Sequence, residues 1–482
     1  MHFMASQFNI SLFIYFCADY NGNNTWNFNG DNGVLNNNNH YNGNFRSRPD
    51  FDYSLNDKVS ELCYSSIPEE KFSLTLEELL ILSISAAKGK SKKHSFVYFY
   101  LHRIRELIKL EDELLHRELQ PRCITAHIIL SPRPREITCS EFPSRIIHTF
   151  YIRTLQPYLE QYLFHQDSYS CRIGKGNLKA IQQLQEYTYE VSEGYTKDCY
   201  YVKVDIQKFF MSLNCFQVYA IFVYFIKTYV HDNLYYDLLL YLTRITYLAA
   251  TKDHMVDMAL PTEREELDPR RSIMNREYYE GLPTGNWPSQ IAGLVITTFA
   301  LEYLTSLGYK FVHYTDDTTI VVTDLAQWHE DKQRLTRFYK QYFGLTLHPD
   351  KIYVQHISKG VELLGYKVRF NRILPSNRIH HNIQIVLLHI ERGDADDEGY
   401  VFRNRETVFC SVNSYLGLLK HCSAYRLRRE IVLRVVSTRF GIPFSFADDY
   451  SKLIMRPNYT TPYIYSLYYN ELRQRHKNLC TL

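Results

Sequence analysis

No two cysteines in this chain form a C-x-x-C pair, and none of the ten stands at zinc-finger spacing from a histidine. That argues against zinc ribbons, redox dithiols and a disulfide framework, and for free thiols in a reducing cytosol. Long apolar runs are missing as well. Residues 10–18 are apolar but short and lack a basic leader, so no secretory signal is expected. Residues 218–226 and 238–248 are bounded or broken by Lys, Asp and Arg and read as helices of a folded core; no membrane partner is expected. Net charge is also scarce. With 55 Lys and Arg against 52 Asp and Glu, the formal balance is +3, so any grip on a polyanion must come from local clusters. Four such clusters stand out: residues 88–93 (KGKSKK), Arg103 with Arg105, Arg133-Pro134-Arg135, and Arg426-Leu427-Arg428-Arg429.

What is plentiful is apolar and aromatic. At 482 residues and 45% hydrophobic the chain can bury a substantial core in one multi-lobed unit. Its 41 tyrosines and 28 phenylalanines read first as core or half-buried sheet residues and second as stacking surfaces. The leader is a different material: 12 of residues 21–44 are Asn, too little apolar content to offset ordering entropy, so disorder is the plain reading.

The chemistry concentrates at Tyr314-Thr315-Asp316-Asp317, set between Phe311-Val312 and Thr318-Thr319-Ile320-Val321-Val322. The pattern predicts a β-hairpin with acid at its tip. Adjacent carboxylates repel, so they belong either on a solvated turn or beside a cation that neutralises both. A third acid, Asp205, ends the strand-like run Cys199-Tyr200-Tyr201-Val202-Lys203-Val204. Between the two acid sites, Gly281-Leu282-Pro283-Thr284-Gly285-Asn286-Trp287-Pro288-Ser289-Gln290 leads into an apolar stretch at 291–304, a helix with Ser289 near its start.

Strand with Asp, Gly-rich turn into a helix, then a hairpin with Asp-Asp resembles the order of motifs in a reverse transcriptase palm. The resemblance covers roughly residues 125–435. Residues 128–140 (IILSPRPREITCS) with 143–148 (PSRIIH) look like a fingers segment of bacterial reverse transcriptases, and Ser168 to Gly176 (SYSCRIGKG) looks like their next motif. Leu347-His348-Pro349-Asp350-Lys351 and Leu363-Leu364-Gly365-Tyr366 are similar to the later palm motif and the primer grip; Asn413-Ser414-Tyr415-Leu416-Gly417 with Lys420-His421 is similar to a thumb signature. Leu-Pro-x-Gly-Asn-x-x-Ser-Gln at 282–290 resembles the version carried by reverse transcriptases of diversity-generating retroelements, rather than the Gln-Gly-x-x-x-Ser-Pro of group II intron and retron enzymes.

The resemblance implies an α+β right-hand polymerase fold with fingers, a palm of antiparallel sheet plus helices, and a helical thumb. The expected division is a leader at 1–55, an N-terminal helical extension at 56–125, fingers and palm at 126–370, and thumb with C-terminal helices at 371–482. The implied activity is copying a template RNA into cDNA from dNTPs on a primer, with frequent errors opposite adenine. The cofactor would be two Mg²⁺ ions, with Mn²⁺ a substitute, held by Asp205, Asp316, Asp317 and the Ile206 carbonyl; such ions activate the 3′-hydroxyl and bridge the triphosphate. A small basic accessory protein would be a partner. No endonuclease, integrase or RNase H block is visible.

Carried over position by position, Arg135 with Arg133 would grip triphosphate through paired guanidinium donors, against the alternative of surface arginines. Phe210 matches the steric gate that rejects a ribose 2′-hydroxyl; an ordinary core aromatic is the alternative, and fits Phe209 better. Lys351 would protonate pyrophosphate, or be a solvated lysine after a turn. Thr284, Gly285 and Gln290 would line the nucleotide. Where most reverse transcriptases have Gln, Thr284 is short and braces less. Leu364, Gly365 and Tyr366 would approach the primer end, and Arg172 and Lys175 would face nucleic-acid phosphate unless they form a plain basic loop. Residues 251–280, dense in charge, read as a loop over the site. Two other readings stand beside this one: a defence-associated or group II intron/retron-like reverse transcriptase, and a catalytically silent RNA-binding scaffold. The leader has a second reading too, as a translated template repeat whose AAC-type codons spell Asn.

Overall fold

The computed structural model describes residues 72–88, 94–130, 133–249, 251–349, 353–392, 405–438 and 444–456. The Asn-rich leader, Lys351 and the polar stretch at 393–399 lie outside the described residues. The class is mixed helix and sheet, in two compact units that interleave along the chain. The first takes residues 1–176, 203–318 and 324–353; the second takes 177–202, 319–323 and 354–482.

The first unit's described part begins with three helices, Leu76–Ala86, His94–Leu101 and Arg103–Leu115. Thr75 starts the first with a capping box: its Oγ1 accepts from Glu78 N at 3.3 Å while Glu78 Oε2 accepts from Thr75 N at 2.9 Å. Strands β1 (Ile124–Ile129) and β2 (Arg135–Ser140) pair antiparallel in register from Ile124↔Ser140 to Ile129↔Arg135. Two long helices, Phe142–Tyr162 and Trp287–Ser306, run through the core. The second is apolar nearly all round, as a helix enclosed by its own unit should be.

The segment expected to be a charged loop over the site is instead folded. Its residues Met255–Asp257 form β4, which pairs parallel with β1 and completes a sheet in the order β2-β1-β4. One of the charges that suggested a loop, Arg264, is spent internally. The wholly buried carboxylate of Glu136, on β2, accepts from Arg264 at 2.7 Å, from the Ile273 amide at 2.8 Å and from the Ser272 hydroxyl at 2.5 Å. A buried carboxylate is tolerable only with such a set of donors, and the insert supplies it.

β3 (Tyr200–Asp205), β5 (Lys310–Tyr314), β6 (Asp317–Val322) and β7 (Tyr353–His356) form a sheet in the order β5-β6-β3-β7. Its acid-bearing ends, 203–205 and 310–318, belong to the first unit.

The second unit carries a meander, β8 (Val361–Leu363), β9 (Tyr366–Arg369) and β10 (Arg372–Pro375), paired antiparallel. Helices Asn377–Arg392, Arg405–Leu419 and Tyr425–Val436 pack with the ribbon of β11 (Phe444–Phe446) and β12 (Leu453–Met455) around one apolar core. Ile383, Leu387 and Ile390 of the first of these helices face that core at helical spacing. Among the described residues no helix is long and apolar enough to cross a membrane.

Candidate active site

Strand parity sets the first carboxylate. Along β3, Tyr201, Val202 and Val204 are buried, while Lys203 and Asp205 are half-buried and, two residues apart, share a face. Lys203 Nζ lies 2.9 Å from Asp317 Oδ2, so the face that carries Asp205 also meets the first residue of β6. The end of β3 is fixed through its backbone: His348 N donates to Asp205 O and Gln207 N to Thr346 O, both at 2.8 Å, on either side of an isolated Ile206↔Leu347 bridge. Neither of those bonds uses the Ile206 carbonyl.

The hairpin forms as the sequence predicts, with Thr315 and Asp316 as its turn between β5 and β6. Thr315 has φ +63°, a left-handed conformation that this kind of two-residue turn normally gives to glycine. A β-branched residue there costs about 1–2 kcal/mol, so the rest of the structure must impose it. The Thr315 amide donates to Ser170 Oγ at 3.0 Å. Behind the turn, the His313 ring is 3.0 Å from Thr318 Oγ1 through Nδ1 and 3.0 Å from Thr297 Oγ1 through Nε2, tying β5 to β6 and to the core helix. Burial pulls the His313 pKa down to about 3, so this tie is made by a neutral imidazole.

Among the described residues no group of three or more His, Cys, Asp and Glu side chains is gathered so as to hold a metal ion. Asp317 is turned to Lys203. The other oxygen donors at this end of the sheet are the Asp205 and Asp316 carboxylates and the Ile206 carbonyl. All are hard oxygens, the chemistry that suits Mg²⁺ or Mn²⁺.

The Gly-rich turn at 283–290 rests on β2. A Cβ on Gly285 would lie 1.7 Å from Thr138 O, so only glycine allows this approach. Gly285 N donates to Thr138 Oγ1 at 3.2 Å, and Thr284 Oγ1 donates to Glu136 O at 3.3 Å. The hydroxyl that distinguishes Thr284 from Val is therefore spent on β2. Asn286 Oδ1 accepts from Ser140 Oγ at 2.7 Å, and Gln290 Oε1 accepts from Cys171 Sγ at 3.1 Å. Phe209 is buried, as an ordinary core aromatic is, and Phe210 is half-buried, with ring centroids 5.2 Å apart. Arg133 and Arg135 are exposed at the start of β2.

Two basic residues differ from expectation. Arg172 is buried, paired with Glu160 and donating to the carbonyls of His165 and Ser168; Lys175 Nζ donates to Gln166 O at 2.6 Å and lies over the Tyr169 ring. Both bond to carbonyls of their own loop. In the second unit, Leu364 (φ +51°) and Gly365 (φ +87°) form a tight turn between β8 and β9. Tyr366 is only 4% exposed and its hydroxyl donates to Leu418 O at 3.0 Å, so its ring is packed within that unit.

Sequence reasoning missed Lys203, Ser170, His313 and Glu136. Lys203 was within reach, since it stands two residues before Asp205 on the same strand.

Similarity to known proteins is structural and distant. A Candida albicans telomerase, solved in complex with a TWJ fragment of telomeric RNA, is 10% identical with a TM-score of 0.38, over 66% of this chain and 58% of that one. An apo telomerase from Candida tropicalis, truncated from its C-terminal domain, is 10% identical with a TM-score of 0.37, over 57% and 60%. This chain therefore spans less than two thirds of either telomerase chain. No family model and no curated protein matches it.

Proposed function

We propose that this chain is an RNA-directed DNA polymerase of the diversity-generating retroelement type, with a right-hand arrangement of fingers, palm and thumb. One observation carries the reading: the Lys203–Asp317 contact joins the Asp205 face of β3 to a tight hairpin tipped by Asp316, which brings acids from two strands to one sheet end. The finer type rests on Gly285-x-x-x-Ser289-Gln290 and on the short Thr284.

In this reading Asp205, Asp316 and the Ile206 carbonyl hold Mg²⁺, which when bound lowers the pKa of the primer 3′-hydroxyl and neutralises charge on the triphosphate. Asp317 orients the hairpin through Lys203. Arg135, exposed at the start of β2, offers paired donors to the triphosphate oxygens. The Thr284-Gly285 backbone, seated on β2, forms a floor for the incoming nucleotide, and the half-buried Phe210 ring excludes a ribose 2′-hydroxyl. The template RNA, primer, dNTPs and a small basic accessory protein are the partners of this reading.

The test is primer extension on an RNA template with dNTPs and Mg²⁺. Asp316→Asn and Asp205→Asn should each reduce extension at least about a thousandfold, the scale of removing charge stabilisation from a nucleotidyl-transfer centre. Asp317→Asn should lose less. No extension by the unsubstituted chain, with or without its accessory protein, overturns the proposal.

A further inference from the structure

Residues 165–176 absorb much bonding that no catalytic role requires. Ser168 bridges His313 in parallel, His313 N donates to Asp167 O, and Tyr169 N donates to His313 O, both at 2.9 Å, so this segment lies along β5 like a short extra strand. One residue further on, Ser170 Oγ accepts from the Thr315 amide, and Cys171, itself left-handed at φ +53°, reaches Gln290. Arg172 and Lys175 then tie the loop back to its own backbone. The segment thus links the turn that presents Asp316 to the start of helix Trp287–Ser306.

We propose that Ser170 is a positioning residue: by accepting the Thr315 amide it holds the strained left-handed turn that aims the Asp316 carboxylate, and Arg172 keeps Ser170 in place. The catalytic consequence rests on the polymerase reading above; the clamp itself does not. The physical argument is a balance of local energies. Thr315 prefers an extended or helical backbone by about as much as a single ordinary hydrogen bond supplies. The bond from Ser170 acts together with the β5–β6 pairing, and without it the turn gains access to other conformations in which Asp316 points elsewhere. A glycine in place of Thr315 has no such preference, so the clamp becomes dispensable there.

This coupling is the test. Ser170→Ala should lower the primer-extension rate about tenfold and raise the Mg²⁺ concentration for half-maximal rate by several-fold, a shift that a general loss of packing would not produce. Ser170→Thr, which keeps the hydroxyl, should restore most of both. In the Thr315→Gly background, adding Ser170→Ala should change the rate less than twofold. Hydrogen exchange, measured on the same proteins without substrate, reads the clamp independently of activity. Ser170→Ala should speed exchange at the Thr315 amide about tenfold while amides of helix Trp287–Ser306 keep their protection. An inactive unsubstituted protein whose Thr315 amide responds in this way would overturn the polymerase reading and leave the clamp standing. Unchanged exchange at Thr315, or Ser170→Ala effects equally large with and without Thr315→Gly, would overturn the clamp.

Discussion

Two of the tight two-residue hairpin turns among the described residues solve one backbone problem in opposite ways. At Thr315-Asp316 the left-handed position is occupied by a β-branched residue, and polar bonds from Ser170, His313 and Lys203 surround it. At Leu364-Gly365 both residues are left-handed, glycine takes the second position, and the surroundings are mainly apolar, with Ile379 and Leu418 nearest to Gly365, the Tyr366 ring buried beside the turn and a single backbone bond from Ser376 N to Gly365 O at 3.0 Å. Polar bonds are directional and hold a group at a defined angle; apolar packing is strong but tolerant of small rotations. The first hairpin has a carboxylate to aim, and the second has a core to close.

The largest effect that separates them is on stability. Tyr366→Ala should destabilise the second unit by about 3–5 kcal/mol, the range for removing a buried aromatic ring, whereas Tyr366→Phe should cost only about 1 kcal/mol for the lost bond to Leu418. Urea unfolding followed by region-resolved hydrogen exchange measures both. Equal losses for the two substitutions would mean that the hydroxyl, not the ring, holds the second hairpin, and the contrast would fail.

Acid should separate the two in the other direction. Burial lowers the His313 pKa to about 3; burial, with the charges of Arg172 and Lys175, lowers that of His165 to about 4. Both sit well below the roughly 6.5 of an unfolded histidine. Between these values the unfolded chain binds protons that the folded one refuses, so stability is complete above about pH 6.5 and falls as pH drops toward 4 and then 3. At pH 5 each histidine should cost about 2 kcal/mol relative to pH 7. Exchange protection around β5 should therefore weaken from pH 7 to 5 more than protection around β9, and His313→Gln should flatten that dependence. An equal response in both regions would show that the buried imidazoles are not what makes the first hairpin acid-sensitive.

How much of this was legible depended on whether a residue's partner lay nearby in sequence. The Asp205 strand and the Asp316 hairpin could be read because apolar, β-rich runs end abruptly in acid. Phe209, read as the better fit to a core aromatic of its pair, is buried. The partners of Arg172 and Lys175 were not legible, because a basic loop says nothing about Glu160 or about carbonyls that only the folded loop presents. The 251–280 insert read as a loop over the site because its charges were counted without Glu136, which lies more than a hundred residues earlier yet accepts from Arg264 and Ser272. Ser170 gave no signal at all: its role exists only because Thr315 adopts a conformation that no local rule assigns to threonine.

The smallest effect reaches the helix on which the first hairpin leans. Gly293, within Trp287–Ser306, faces the two phenylalanines: a Cβ there would lie 2.8 Å from Phe209 Cε1 and 3.4 Å from Phe210 Cε1. Alanine normally stabilises a helix interior by about 0.5–1 kcal/mol relative to glycine, and the displaced Phe209 ring should consume much of that gain. Gly293→Ala should therefore leave stability within about 1 kcal/mol of the parent. The tilt of Phe209 passes to Phe210, because the two rings are in contact. Discrimination between deoxy- and ribonucleotides should fall about fivefold, read as the ratio of kcat/KM for dCTP and CTP, while the rate with dCTP changes little. An unchanged ratio in a stably folded Gly293→Ala protein would mean that Phe210 takes its position from the Phe210–Leu282 backbone bond, at 2.8 Å, rather than from the packed rings behind it.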